Sequence, residues 1–171
     1  MSFEQMPKQE SPNRSKELET LLLAGKLSKE DFLAQIDALD QSTPTHAASI
    51  SNAAVLERAE VKALFEQDPD YENTRSLAHF HVGQIRAMQA RYEEALAAFE
   101  RSLLAAQTIT EDDYQDWVEY VRGTVAYFKK DIATLKSIDE SGKAISPDVI
   151  QRLHTGLSER GTIDYRKDYG E

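Results

Sequence analysis

Three glycines in the second half of the chain are each followed, nine residues on, by a large side chain: Gly83 by Tyr92, Gly123 by Ile132 and Gly156 by Tyr165. The breaks in helical periodicity line up with this spacing, so each glycine lies in one helix and the large residue opens the next. That arrangement confines the chain to successive helix–turn–helix units. A residue without a side chain lets two antiparallel helices approach where anything larger would hold them apart.

The central unit carries the fullest pattern. RYEEALAAFERSL (91–103) sets Tyr92, Ala95 and Phe99 three and then four residues apart, an amphipathic spacing with a small residue between two rings. Ala95 and Gly83 suit a close helix crossing, and Tyr92 and Phe99 fill the space beside it, each worth about 2–3 kcal/mol when fully covered. With Val82-Gly83 upstream and Ala95-x3-Phe99 downstream, residues 76–109 resemble a tetratricopeptide repeat. His79, Arg86 and Gln107 stand where that family's pattern has Trp, Tyr and Pro. A second copy, 113–145, keeps Gly123 but has Arg122 before it and Leu135 and Asp139 in place of the small-then-aromatic pair. A third, from 148, keeps Gly156 and Tyr165. The resemblance spans 65–171 and implies an all-α fold, a short right-handed α-solenoid preceded by a helical hairpin. The residues alone also fit an ordinary helical bundle without repeats.

Residues 1–15 are polar, hold two prolines and lack apolar periodicity, which predicts a flexible lead-in. Residues 16–41 read as a helical hairpin: a leucine stripe (Leu18, Leu21, Leu22, Leu23) ends at Gly25, and Ser28 with Asp31 makes a near capping box ahead of Phe32, Ile36 and Leu39. This stretch is similar to the SHOCT module, which implies an interaction or self-association role. Residues 44–171 form the predicted repeat domain. It opens with one long helix from Pro44 to Gln67, stopped by Asp68-Pro69-Asp70, followed by helices over 71–89, 91–107, 111–129 (opened by Thr110), 131–141 and from 147 to about Arg160.

At 171 residues the chain suits one ordinary domain. Its net charge of −10, with no basic stripe, argues against nucleic acid as a partner. The absence of cysteine excludes disulfides and thiolate chemistry. No apolar run reaches the roughly 20 residues a bilayer requires, and no signal-peptide pattern opens the chain, so the expectation is a cytoplasmic protein without a membrane partner.

Catalysis needs converging reactive groups, and the sequence offers none. His79 and His81 point to different sides of a helix, and His46 and His154 have no acidic or histidine partner at i+4. His79 reads as a packing residue. EDDYQDWVE (111–119) has five acids but lacks the glycine-centred spacing of a calcium loop, so it reads as a solvated helix start, with docking of a basic segment as the alternative. The expectation is a non-enzyme with no cofactor and no metal.

In tetratricopeptide proteins the first helix of each repeat lines the concave face. The resemblance therefore implies a partner-binding face of Leu77, Phe80, Gln84 and Met88, then Trp117, Tyr120, Thr124 and Tyr127. The last four recur at helical spacing, and Trp and Tyr are enriched where proteins grip partners. The alternative is that the stripe packs inside. Lys, Arg and Asn, which clamp chaperone C-terminal carboxylates in that family, are missing from these places. The implied function is an adaptor or scaffold binding a peptide or helix of another protein, with the N-terminal hairpin packed on the solenoid or used for self-association. The alternative is a small chaperone for secreted or assembly-prone clients.

Overall fold

Residues 14–42 and 47–170 are described by a computed structural model, and every regular element among them is helical. In order they are α1 (Arg14–Leu23), α2 (Lys29–Ser42), α3 (Ala47–Leu56), α4 (Ala59–Leu64), α5 (Pro69–Met88), α6 (Tyr92–Gln107), α7 (Gln115–Phe128), α8 (Ile132–Ser141), α9 (Pro147–Arg160) and α10 (Tyr165–Tyr169), with a 3-10 turn at Asp112–Tyr114 before α7. The described residues are thus all-α. It divides into two units between Glu66 and Gln67.

The first unit contains the expected hairpin. Gly25 takes φ 71° after α1, and the Asp31 amide donates to Ser28 Oγ at 3.1 Å, the capping bond read from the sequence. Leu18, Phe32 and Ile36 are fully buried, whereas Leu23 of the expected stripe is exposed. Arg14 and Ser15, expected in the flexible lead-in, belong to α1; residues 1–13 and the proposed helix start at Pro44 lie outside the described residues. The single helix expected as far as Gln67 is two helices. Arg58 is extended (φ −68°, ψ 135°) and its guanidinium meets Glu19 of α1 at 2.7 Å. No glycine or proline marks this break. Tertiary packing makes it, because the bend brings Val61 and Phe65 into the core, with Phe65 stacked on Phe32 at 5.9 Å. Residues 47–66 therefore belong to the same unit as the hairpin and not to the unit that follows.

The second unit is three successive helix pairs, α5/α6, α7/α8 and α9/α10, in which α6 packs on α7, α8 on α9 and α7 on α9. Asp68-Pro69-Asp70, read as a stop, is instead a start: Asp68 accepts from the amides of Asp70 (2.9 Å) and Tyr71 (3.4 Å), and Pro69 sits where a missing N–H costs nothing. Thr110 does not cap α7; Gln115 holds its approach by donating to the carbonyls of Ile109 (2.9 Å) and Glu111 (3.2 Å).

The spacing of the glycines has a counterpart in the backbone. Seven residues after Gly83 and after Gly123, Ala90 (φ 58°) and Lys130 (φ 56°) take the left-handed conformation that closes a helix. The next amides bond back alike, Arg91 to Arg86 O at 2.9 Å and Asp131 to Ala126 O at 2.8 Å. The glycines themselves meet different neighbours. A Cβ on Gly83 would lie 2.7 Å from the Phe99 ring, so Phe99, rather than Ala95, fills that crossing. A Cβ on Gly123 would lie 2.7 Å from Ile150 Cδ1, on the following pair.

Open stacked repeats touch only their neighbours. Here α10, from the third pair, packs on α9 and also reaches α5 of the first.

Candidate protein-binding face

The eight residues expected on one face fall into two groups. Phe80, Tyr120, Thr124 and Tyr127 are buried, the last with no exposed area, while Leu77, Gln84, Met88 and Trp117 are half-buried. The expectation of an open aromatic groove is corrected for the first four, whose rings and methyls are used in internal packing. Phe80 is the hub, with ring centroids 4.9 Å from Phe99, 5.0 Å from Trp117 and 5.3 Å from Tyr120. Thr124 bonds back to Tyr120 O at 3.0 Å. Trp117 is fixed through its indole N–H, which donates to Ser76 Oγ at 2.9 Å.

What covers the α5, α7 and α9 side chains is the last described segment of the chain itself. Gln84 Nε2 of α5 donates to the Tyr165 hydroxyl at 3.2 Å, joining residues 81 apart. The Tyr127 hydroxyl of α7 accepts from the Asp164 amide at 3.0 Å and donates to Asp168 Oδ2 at 2.7 Å, so one buried group holds both ends of a helical turn. From α9, Arg152 donates to the Tyr169 carbonyl at 2.9 Å. The Arg160 guanidinium grips Asp168 through two nitrogens, Nη1 to Oδ1 at 3.1 Å and Nη2 to Oδ2. Gly156, also on α9, lies under the same carboxylate, and a Cβ there would overlap it. The Tyr165 ring lies 5.3 Å from Phe128 and is stacked on Tyr169 at 5.2 Å.

The electrostatics follow from this packing. Burial pushes the phenols of Tyr120, Tyr127 and Tyr165 well above the usual tyrosine range, and the Asp168 carboxylate adds to the effect at Tyr127. These hydroxyls stay protonated, and those of Tyr127 and Tyr165 serve as hydrogen-bonding groups, not bases.

Asp164, Asp168, Arg152, Arg160 and Tyr169 escaped the sequence reading. Charged residues outside an apolar stripe read as solvated, and only Gly156 and Tyr165 stood out, as marks of the repeat. The histidine reading holds only along the chain: His154 Nδ1 lies 2.7 Å from Asp139 Oδ2, joining α9 to α8 across a separation that i+4 logic does not sample. Among the described residues, no cluster of three or more His, Asp or Glu could hold a metal, and no helix is long and apolar enough to cross a membrane. No family model, curated protein or solved structure matches this chain.

Proposed function

We propose that residues 67–170 are a tetratricopeptide-like protein-binding domain, an adaptor that holds a segment of another protein on the face of α5, α7 and α9. The observation that supports it is the occupant already there. That face engages residues 164–169 as it would a bound peptide, through a backbone amide, a backbone carbonyl, a carboxylate and a ring. Internal packing alone calls for apolar fill, whereas fixed polar groups aimed at a short segment are what recognition of a peptide uses. The excess of acidic residues disfavours nucleic acid on the same surface.

Position-specific crosslinking tests this reading. A photo-reactive residue replacing half-buried Gln84 should capture a partner protein, and one replacing Leu104, exposed on α6, should not. Equal capture from both positions, or none from Gln84, would overturn it.

A further inference from the structure

We propose that Gly156, Arg160 and Tyr127 form a carboxylate-receiving cradle on this face and that Asp168 is its resident ligand in cis. The partner segment is then a helix with an aromatic ring three residues before an aspartate or glutamate, and it binds by displacing α10. The proposal rests on the reading of the α5, α7 and α9 surface as protein-binding, and adds the ligand class and its regulation.

The cradle is specific in shape and charge. Gly156 provides a bare backbone on which the carboxylate rests, Arg160 supplies a two-nitrogen fork, and the fully buried Tyr127 supplies a hydroxyl. Such bidentate, charge-assisted bonding sets geometry strongly. It adds little stability over a well-packed apolar residue at the same place, so stability alone does not account for it. The second reading point is Tyr165, three residues earlier on the same face of α10, with its ring beside Phe128 and its hydroxyl on Gln84.

The occupant is also poorly able to stand alone. At five residues α10 is far below the length at which an isolated helix persists, so its order comes from these contacts. Tethered close to its site, it competes at an effective concentration on the order of millimolar. A partner's apparent affinity is then its intrinsic affinity multiplied by the fraction of chains in which α10 has left.

The probe is a fluorescent, end-blocked peptide of residues 162–168, which leaves out Tyr169 and so makes no use of Arg152, titrated into four full-length chains, the wild type, two single variants and one double variant. Arg152→Met removes the bond to the Tyr169 carbonyl and leaves the cradle intact; Asp168→Asn removes the resident carboxylate. Both variants should bind the peptide roughly tenfold or more tighter than the wild type. A peptide with Asn at the Asp168 position should lose about that much, and Asp168→Asn combined with Arg160→Met should bind neither peptide. If Asp168→Asn fails to fold, as judged by its melting transition, Arg152→Met carries the same expectation. No gain in either folded variant overturns the proposal, as does equal binding of the two peptides. A concentration-dependent dimer that excludes the peptide assigns the site to α10 of a second copy and overturns it too. Should the peptide fail while Gln84 still crosslinks a partner, the ligand class falls and the face stands; loss of both removes both.

Discussion

The Asp168 carboxylate occupies the volume that a side chain on residue 156 would need. Gly156 therefore serves a later part of the chain as much as its own helix. Its counterparts Gly83 and Gly123 admit apolar groups, the Phe99 ring and the end of Ile150, so one sequence signature supports two structural uses.

Replacing Gly156 by alanine should release α10 without dismantling α5 to α9. The added methyl overlaps a carboxylate fixed by Arg160 and Tyr127, and overpacking of this kind costs about 1–3 kcal/mol. In hydrogen exchange the amides of 164–169 should lose protection while those of α7 keep theirs. Gly83→Ala presses on the fully buried Phe99 ring instead and should lower the melting of the whole unit. Undiminished protection of 164–169 in Gly156→Ala would show that the overlap is relieved elsewhere.

Alkaline pH should destabilise the fold earlier than arginine or lysine titration would. Burial raises the phenols of Tyr120, Tyr127 and Tyr165, and the hydrogen bond to Asp70 holds Tyr114 at about 12, against 10.0 for a free phenol. Each folded value exceeds the unfolded one. The contribution is therefore complete below pH 10.0 and is lost as pH rises through the folded values, for Tyr114 through about 12. Tyrosinate absorbance should rise first for the more exposed phenols, with the buried ones following only on unfolding. Tyr114→Phe should flatten the stability loss across that window; an unchanged slope would remove Tyr114 from the account.

Much of this fold can be read from the sequence where a local signal has a local cause. Gly25 ends its helix in the left-handed conformation, as expected, Gly142 ends α8 in the same way just past the expected limit at residue 141, and Pro147 opens α9. The misreadings share a cause. Asp68-Pro69-Asp70 can end one helix or cap another, and only the packing of Tyr71 decides. The break at Arg58 has no breaker residue, because the core pulls Phe65 onto Phe32. The alignment of side chains along α5 and along α7 was legible from helical spacing, though four of the eight expected to be open are buried. That residues 164–169 cover them was not legible, since the pairing of Arg160 with Asp168 depends on a chain reversal at Gly161 that spacing does not encode.

The turn residues Ala90 and Lys130 offer a gain in stability. Each holds a positive φ at a helix end, a conformation that costs a residue with a Cβ about 1 kcal/mol relative to glycine. Lys130 is exposed, and its amide bond to Tyr127 O at 3.0 Å survives substitution. Lys130→Gly should stabilise by about 0.5–1 kcal/mol in urea unfolding, with Ala90→Gly similar. Destabilisation by both would mean that the unfolded chain gains more freedom from glycine than the folded turn gains in comfort.

Ser76, rather than Trp117 itself, should prove the more sensitive member of the α5–α6–α7 junction. Ser76 Oγ donates to Ser102 O at 2.9 Å and accepts from Trp117 Nε1 at 2.9 Å, while Ser102 Oγ returns a bond to Ser76 O at 2.7 Å. Both serines are fully buried. Ser76→Ala leaves an indole N–H and a carbonyl short of a partner together, at a cost of about 1–3 kcal/mol. Trp117→Phe removes the donor along with its need and keeps an aromatic ring beside Phe80 and Tyr120, so the serine pair still satisfies itself. It should cost less. The emission of the chain's one tryptophan should also shift toward that of a hydrated indole in Ser76→Ala before global unfolding begins. A larger loss from Trp117→Phe than from Ser76→Ala would place the anchor in ring packing, and the hydroxyl would then be incidental.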